Sequence, residues 1–117
     1  MFHFYVIHLQ NIETFRYFYL HLLNMDAKQF EKISRALSDP HRIEILQAFK
    51  NRKECLQCTE VHDFIDLAQP SISHHLKQLV DADLLLPEKE GRNLKYRLNE
   101  QVLDNYIHFI QNFKTNL

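Results

Sequence analysis

The stretch LAQPSISHHLKQLVDADLL, residues 67–85, decides the fold. Pro70 is typical of the first position of a helix, where its missing N–H group costs no hydrogen bond. Apolar side chains then recur at helical spacing on one face: Ile72, Leu76, Leu79 and Val80. Residues 67–69 form a tight turn before it. The stretch therefore predicts a turn followed by a helix, and the polar face of this helix points away from the core.

Two further helices are predicted upstream of this stretch. The first spans residues 26–37. The second begins at Asp39-Pro40, since an aspartate side chain accepts hydrogen bonds from the free N–H groups of a first turn, and it ends near Lys50-Asn51. The predicted buried stripe of the first helix consists of Phe30, Ile33 and Leu37. The predicted buried face of the second consists of Ile43, Leu46 and Phe49.

A short helix and a hairpin complete the order of elements. Thr59 is the predicted N-cap of the short helix. Its apolar residues are Val61, Phe64 and Ile65. Residues 84–89 and 94–98 are strand-like and flank Gly91, which suits a turn because glycine readily adopts positive φ. Helix, turn, helix and hairpin is the order of a winged helix-turn-helix, so the predicted fold class is mainly α with a two-stranded β-hairpin wing.

Both ends of the chain are richer in apolar residues than one core requires. Residues 100–114 predict a last helix whose apolar side chains cover far more than one stripe, so part of it needs another partner. Residues 1–24 hold half of the aromatic residues and only two charges. This N-terminal extension is either an extra dimerisation helix over residues 12–23 or sequence upstream of a start at Met25. Residues 25–117 are the predicted DNA-binding domain.

Composition excludes several classes of protein. The formal net charge is −1, so a DNA-binding surface must be a local basic patch. No apolar stretch reaches membrane-spanning length and no signal peptide is recognisable, so we expect a cytoplasmic protein with no membrane partner. Two cysteines are too few for a disulfide scaffold. Gly-rich phosphate loops and nucleophile elbows are missing, so no enzymatic activity is predicted.

The polar face of the helix after the turn suits DNA. The second helix of a helix-turn-helix lies in the major groove and contacts base edges with its N-terminal residues. The side chains away from the buried stripe can all hydrogen-bond to phosphates or bases: Ser71, Ser73, His74, Lys77 and Gln78. His75 lies nearer the stripe and is predicted to be a packed, hydrogen-bonded core histidine. Positive charge on the hairpin comes from Arg92, Lys95 and Arg97. The alternative is a winged helix that binds another protein.

Three segments together resemble the ArsR family of bacterial repressors: ALSDPHRIEIL at 36–46, the stretch at 67–85, and EKEGRNLKYRLN at 88–99. The resemblance spans roughly residues 28–113. It implies a homodimeric repressor that binds double-stranded DNA at an inverted-repeat operator, dimerises through its terminal helices, and is released by a metal or another small signal. It also implies a set of base and phosphate contacts: Gln69, Ser71, Ser73 and His74, with Arg92 in the wing.

Two positions depart from the family pattern or restrict the wing. Asp83 stands where the family commonly has glycine, and the turn there is expected to be kept because aspartate tolerates the left-handed conformation better than most residues. Pro87 in the first wing strand is compatible only with a position where no ladder N–H is needed.

Cys55 and Cys58 are the candidate sensor. Some metal-sensing members of the family carry Cys-x-Cys in this neighbourhood; here one more residue intervenes. Two thiolates at this spacing can share a metal ion as effector, with His62 as a third candidate ligand. Reversible oxidation or persulfide formation, and unreactive thiols that fill space, are the alternatives. A second family site on the last helix would use Asp104 and His108, but no second pair of this kind follows.

Overall fold

The computed structural model describes residues 25–52 and 55–114, and the predictions for residues 1–24 lie outside these ranges. The elements in chain order are α1 (Ala27–Leu37), α2 (Pro40–Arg52), β1 (Leu56–Gln57), α3 (Cys58–His62), α4 (Gln69–Asp81), β2 (Leu85–Glu90), β3 (Asn93–Leu98) and α5 (Glu100–Gln111). Helices α3 and α4 form the helix-turn-helix, and β2 and β3 form the wing. Within the described ranges, none of the helices combines the length and the apolar character needed to span a bilayer.

The predicted helix starts are confirmed by their hydrogen bonds. Asp26 precedes α1 and accepts a bond of 2.7 Å from the Gln29 backbone N–H. The Asp39 carboxylate accepts bonds of 2.8 and 3.2 Å from the N–H groups of His41 and Arg42, in the first turn of α2. These side chains satisfy N–H groups that have no partner within a helix.

The core forms where these elements meet. On α4 the predicted stripe is confirmed, because Ile72, Leu76 and Leu79 are buried and Val80 packs against them half-buried. No polar or charged side chain of the described residues is buried. The largest core side chains outside α4 are Ile33, Ile45, Phe49, Leu56, Leu84 and Leu85. Burial of the stripe fixes the opposite face of α4 toward solvent.

Three details of the predicted packing are wrong. On α2 the buried residue is Ile45, whereas Ile43 is 42% exposed, because isoleucines two positions apart lie on different sides of a helix. Phe64 is 43% exposed, and the Arg52 guanidinium lies 4.4 Å above the centre of its ring. Thr59 lies inside α3, whose N-cap residue is Gln57.

The wing is part of a three-stranded antiparallel sheet rather than an isolated two-stranded hairpin. The predicted hairpin is present, with Gly91 in its turn at φ +63°. The short strand β1 adds to β3, with Leu56 opposite Tyr96, so the strand order is β1-β3-β2. A two-residue strand is too short to show periodicity in a sequence. Pro87 lies on β2, an edge strand of this sheet, where a missing N–H is tolerated.

The turn between α4 and the wing is kept despite the aspartate. Asp83 adopts the left-handed conformation, with φ +61°. The Leu84 N–H donates to the Leu79 carbonyl at 2.9 Å, and the Asn99 side chain donates to the Asp83 carbonyl at 2.8 Å. The wing is thereby fixed to the end of α4.

Helix α5 packs on α1 through aromatic rings. Phe30 stacks on Tyr106 and Phe109, with ring centroids 4.9 and 4.4 Å apart. Three apolar side chains on α5 and just after it remain exposed: Ile107 by 51%, Ile110 by 40% and Phe113 by 71%. The excess of apolar surface predicted for the last helix is therefore confirmed on this single chain.

Candidate DNA-binding surface

The outer face of α4 is a continuous polar surface. Its exposed side chains, which we call the recognition face, are Gln69, Ser71, Ser73, His74 and Lys77. No carboxylate lies on α4 before Asp81, its last residue. The residue before α4 is Ala68, whose side chain cannot cap the helix, so the N-terminal dipole can attract a phosphate. The recognition face thus offers hydrogen-bond donors and acceptors near the N-terminus of α4. In a helix-turn-helix this end of the second helix contacts base edges in the major groove.

Gln78 differs from the other residues predicted to contact DNA. It is half-buried, and its side-chain Oε1 accepts a hydrogen bond of 2.7 Å from Nη1 of Arg42. By its sequence pattern Arg42 is part of the segment at 36–46 and has no predicted role in DNA contact. Nothing in the local pattern could reveal this bond, because the two residues lie 36 positions apart.

His75 lies behind the recognition face and is half-buried. Its ring faces His41 and His74, with centroids 5.8 and 6.0 Å away. Its Nδ1 atom is buried and has no hydrogen-bond partner among the described residues, so the predicted hydrogen bond is not found there. Burial lowers the pKa of His75, and although the Asp39 carboxylate opposes this, the Arg42 charge adds to the lowering.

Two of the four cations of the wing are paired with carboxylates of the hairpin. Lys95 Nζ lies 3.1 Å from a Glu90 carboxylate oxygen, and Arg97 Nε lies 2.8 Å from a Glu88 carboxylate oxygen. Arg92 is exposed beside the turn, and within the part of the chain that the structure describes it has no ion pair. Of the predicted wing contacts, Arg92 is therefore the better placed for a phosphate, whereas Lys95 would first have to leave Glu90.

The two thiols contact different elements, α4 and the wing. Cys58 is the first residue of α3, and its Sγ lies 3.4 Å from the hydroxyl of Ser73 on α4. Cys55 precedes β1, and its Sγ donates a hydrogen bond of 3.3 Å to the Glu88 carboxylate on the wing. Burial and the Glu88 charge raise the pKa of the Cys55 thiol, which keeps it protonated at neutral pH.

A complete metal site is not assembled in the described ranges. Among residues 25–52 and 55–114, no three His, Cys, Asp or Glu side chains form a group that could hold a metal ion. The structure therefore does not combine Cys55 with Cys58 and His62 of α3 into a set of metal ligands. It likewise does not bring a third ligand to Asp104 and His108.

The geometry can be compared with known proteins. A family model described as a helix-turn-helix domain matches residues 37–88. The arsenical resistance operon repressor of Staphylococcus xylosus is 37% identical over 84 residues, which cover 72% of this chain and 78% of that protein. The chain belongs to the ArsR family. This membership confirms the resemblance seen in the sequence and makes the protein a winged helix-turn-helix transcriptional regulator.

Solved ArsR-family structures share the fold. An ArsR-like transcriptional regulator from Rhodococcus sp. RHA1 has a TM-score of 0.68 at 22% identity, over 74% of this chain and 79% of that one. The homodimeric winged helix-turn-helix DNA-binding domain of a Mycobacterium bovis protein has a TM-score of 0.60 at 18% identity, over 73% of this chain and 80% of that one. At these identities the likeness concerns the fold alone.

Proposed function

We propose that this ArsR-family chain is a homodimeric repressor that binds double-stranded DNA at an inverted-repeat operator through α4 and the wing. One observation carries the proposal. The recognition face is exposed, rich in hydrogen-bonding side chains and without a carboxylate before Asp81, while Ile72, Leu76 and Leu79 hold it rigidly on the core. A local surface of this kind can bind DNA on a chain whose net charge is −1.

The elements suggest a division of tasks. The N-terminal residues of α4 contact base edges in the major groove, with Ser71, Ser73 and His74 as the readers. Lys77 and Arg92 contact phosphates, which sets the affinity and position but carries no sequence information. Two copies related by a two-fold axis present their α4 helices to half-sites about 34 Å apart, one helical turn of DNA.

The dimer forms through the terminal helices α1 and α5. Three apolar side chains at the carboxyl end of the described chain, Ile107, Ile110 and Phe113, are exposed by 40% to 71%, and exposed apolar patches of this kind mark interfaces. The structurally similar Mycobacterium bovis domain is described as homodimeric, which is compatible with this arrangement.

The releasing signal acts on the thiols. The similar Staphylococcus xylosus protein is named for arsenical resistance, and soft metalloids and oxidants share a preference for sulfur. Cys58 contacts Ser73 of the recognition face and Cys55 contacts Glu88 of the wing, so chemical change at either sulfur alters a contact of a DNA-reading element. Loss of either contact would release the repressor from DNA, and this release requires no complete metal site.

The test is binding to the DNA upstream of the protein's own gene, measured by fluorescence anisotropy at several salt concentrations. His74→Ala should weaken operator binding by about 1–3 kcal/mol, as expected for one lost base contact. Arg92→Ala should weaken binding to all sequences alike and reduce the salt slope, as expected for one lost phosphate contact. If the folded wild-type chain binds no DNA, a protein-binding winged helix becomes the correct interpretation. Equal affinity of wild type and both variants would place the docking surface elsewhere.

A further inference from the structure

The Arg42 side chain joins three helices. Its Nε donates to the Ala36 carbonyl at 2.6 Å and its Nη2 to the Arg35 carbonyl at 3.2 Å, both at the carboxyl end of α1. Nη1 donates to Gln78 Oε1 on α4 at 2.7 Å, and the Asp39 carboxylate before α2 lies 3.8 Å away. The Arg42 side chain is only 12% exposed. The planar guanidinium presents its N–H donors in a fixed geometry and is held here by several acceptors. It is therefore more rigid than the flexible ammonium group of a lysine would be.

This bond decides which way the Gln78 amide points. A guanidinium group has donors and no acceptor, so the carbonyl oxygen of the amide must face Arg42. The Nε2 group, with two N–H donors, then faces away from it. A glutamine reads adenine by donating and accepting at once, and here the accepting oxygen is already engaged in a hydrogen bond from the Arg42 guanidinium. Gln78 therefore presents donors, and the acceptors that DNA offers most abundantly are phosphate oxygens.

Arg42 and Gln78 line a cleft of about 240 Å³ between the carboxyl ends of α1 and α4. Lys32 and Arg35 add positive charge to its walls; Arg35 pairs with Glu31, and Asp81 adds one negative charge. Gln78 lies one turn before the end of α4, beyond the N-terminal residues that contact base edges in a helix-turn-helix. Both the position and the charge favour the DNA backbone as the partner.

We propose that Gln78 donates a hydrogen bond to a phosphate oxygen of the DNA backbone at this cleft, and that Arg42 is the positioning residue that holds the amide in the donating orientation. The inference rests on the proposed DNA-binding function. Gln78 is then a DNA contact outside the recognition face, and Arg42 connects it to the carboxyl end of α1.

The decisive variant is Gln78→Glu. A carboxylate is a better acceptor for Arg42 than an amide, so the melting temperature should equal or exceed that of the wild type. The outward oxygen then repels a phosphate instead of donating to it, so affinity should fall by about tenfold or more, equally for operator and unrelated DNA. Gln47→Glu is the matched control, because Gln47 is exposed on α2, lines a different groove and receives the same charge change. Its affinity should stay within about twofold of the wild type.

The role of Arg42 is tested by coupling. Gln78→Ala should weaken DNA binding several-fold in the wild-type background and hardly at all in an Arg42→Lys background, because the lysine does not orient the amide. The side-chain amide resonance of Gln78 should shift on addition of DNA to the wild type, which needs no variant to fold. An unshifted resonance, or a Gln78→Glu chain that binds DNA as tightly as the wild type, overturns the inference alone. A wild type that binds no DNA overturns the proposed function with it.

Discussion

The apolar surface at the end of α5 gives the sharpest test of the dimer. The perturbation is the double substitution Ile107→Ala and Phe113→Ala. Ile107 is 51% exposed and Phe113 is 71% exposed on the single chain, so truncating them removes surface that a partner would cover. Phe113 touches Phe30 and Phe109 only edge-on, at centroid distances of 6.0 and 5.6 Å, so its loss should perturb the monomer little.

The magnitude follows from the exposed fractions. Complete burial of a phenylalanine or isoleucine side chain contributes roughly 1.5–3 kcal/mol, so covering the exposed parts contributes about 2 kcal/mol for Phe113 and about 1 kcal/mol for Ile107. In a two-fold symmetric dimer each side chain occurs twice, which doubles the loss to about 6 kcal/mol. This is an upper value, because the remaining surface adjusts. We expect the dimer dissociation constant to rise at least about a hundredfold.

Sedimentation velocity over a range of concentrations measures this constant directly. Leu94→Ala is the matched control, because Leu94 on the wing is 41% exposed and lies outside the terminal helices. It should leave the dimer unchanged. DNA affinity of the double variant should fall in parallel, since two half-sites need two linked recognition helices. A double variant that dimerises like the wild type, or a wild type that is monomeric at micromolar concentration, refutes this interface.

Three further predictions concern other parts of the chain. Operator affinity should fall on exposure of the wild type to oxidant, polysulfide or zinc and stay constant in the Cys55→Ser, Cys58→Ser double variant; a wild type indifferent to every reagent would remove the thiols as sensor. Deletion of residues 1–24 should leave folding and DNA binding intact, since the winged helix lies after them, and failure of the truncated chain to fold or dimerise would make the segment structural. Burial lowers the pKa of His75 below the usual 6.5, so the folded chain binds fewer protons than the unfolded chain below about pH 6.5. The contribution of His75 to stability is complete above that pH and is lost as the pH falls through the lowered pKa. In thermal melts over a pH series, His75→Gln should make the melting temperature less dependent on pH in this range. An unchanged pH profile would exclude His75 as the cause of the acid destabilisation.

The sequence predicted those features whose signals are local. Asp39-Pro40 fixed the start of α2, and the spacing of the apolar residues in 67–85 fixed the buried and exposed faces of α4. Burial on α2 could not be predicted in the same way. Ile43 and Ile45 are equally apolar, and only the elements packed against α2 select Ile45 for the core. The two-residue strand β1 likewise exists only because β3 lies beside it.

The electrostatics of the candidate site depended on contacts between distant positions. By sequence Lys95 and Arg97 are cations of the wing, yet the antiparallel register of β2 and β3 brings Glu90 and Glu88 within reach of them. Two of the four wing cations are therefore paired inside the wing, and of the two predicted wing contacts, Arg92 and Lys95, Arg92 has no ion pair among the described residues. A contact between distant positions also matters on α4. The sequence identifies Gln78 only as a polar residue, and its amide is oriented as a donor by the hydrogen bond from Arg42. A chain with a net charge near zero can still present a local basic patch to a polyanion when some cations are paired with internal carboxylates while others, here Lys77 and Arg92, lie exposed on the proposed DNA-binding surface.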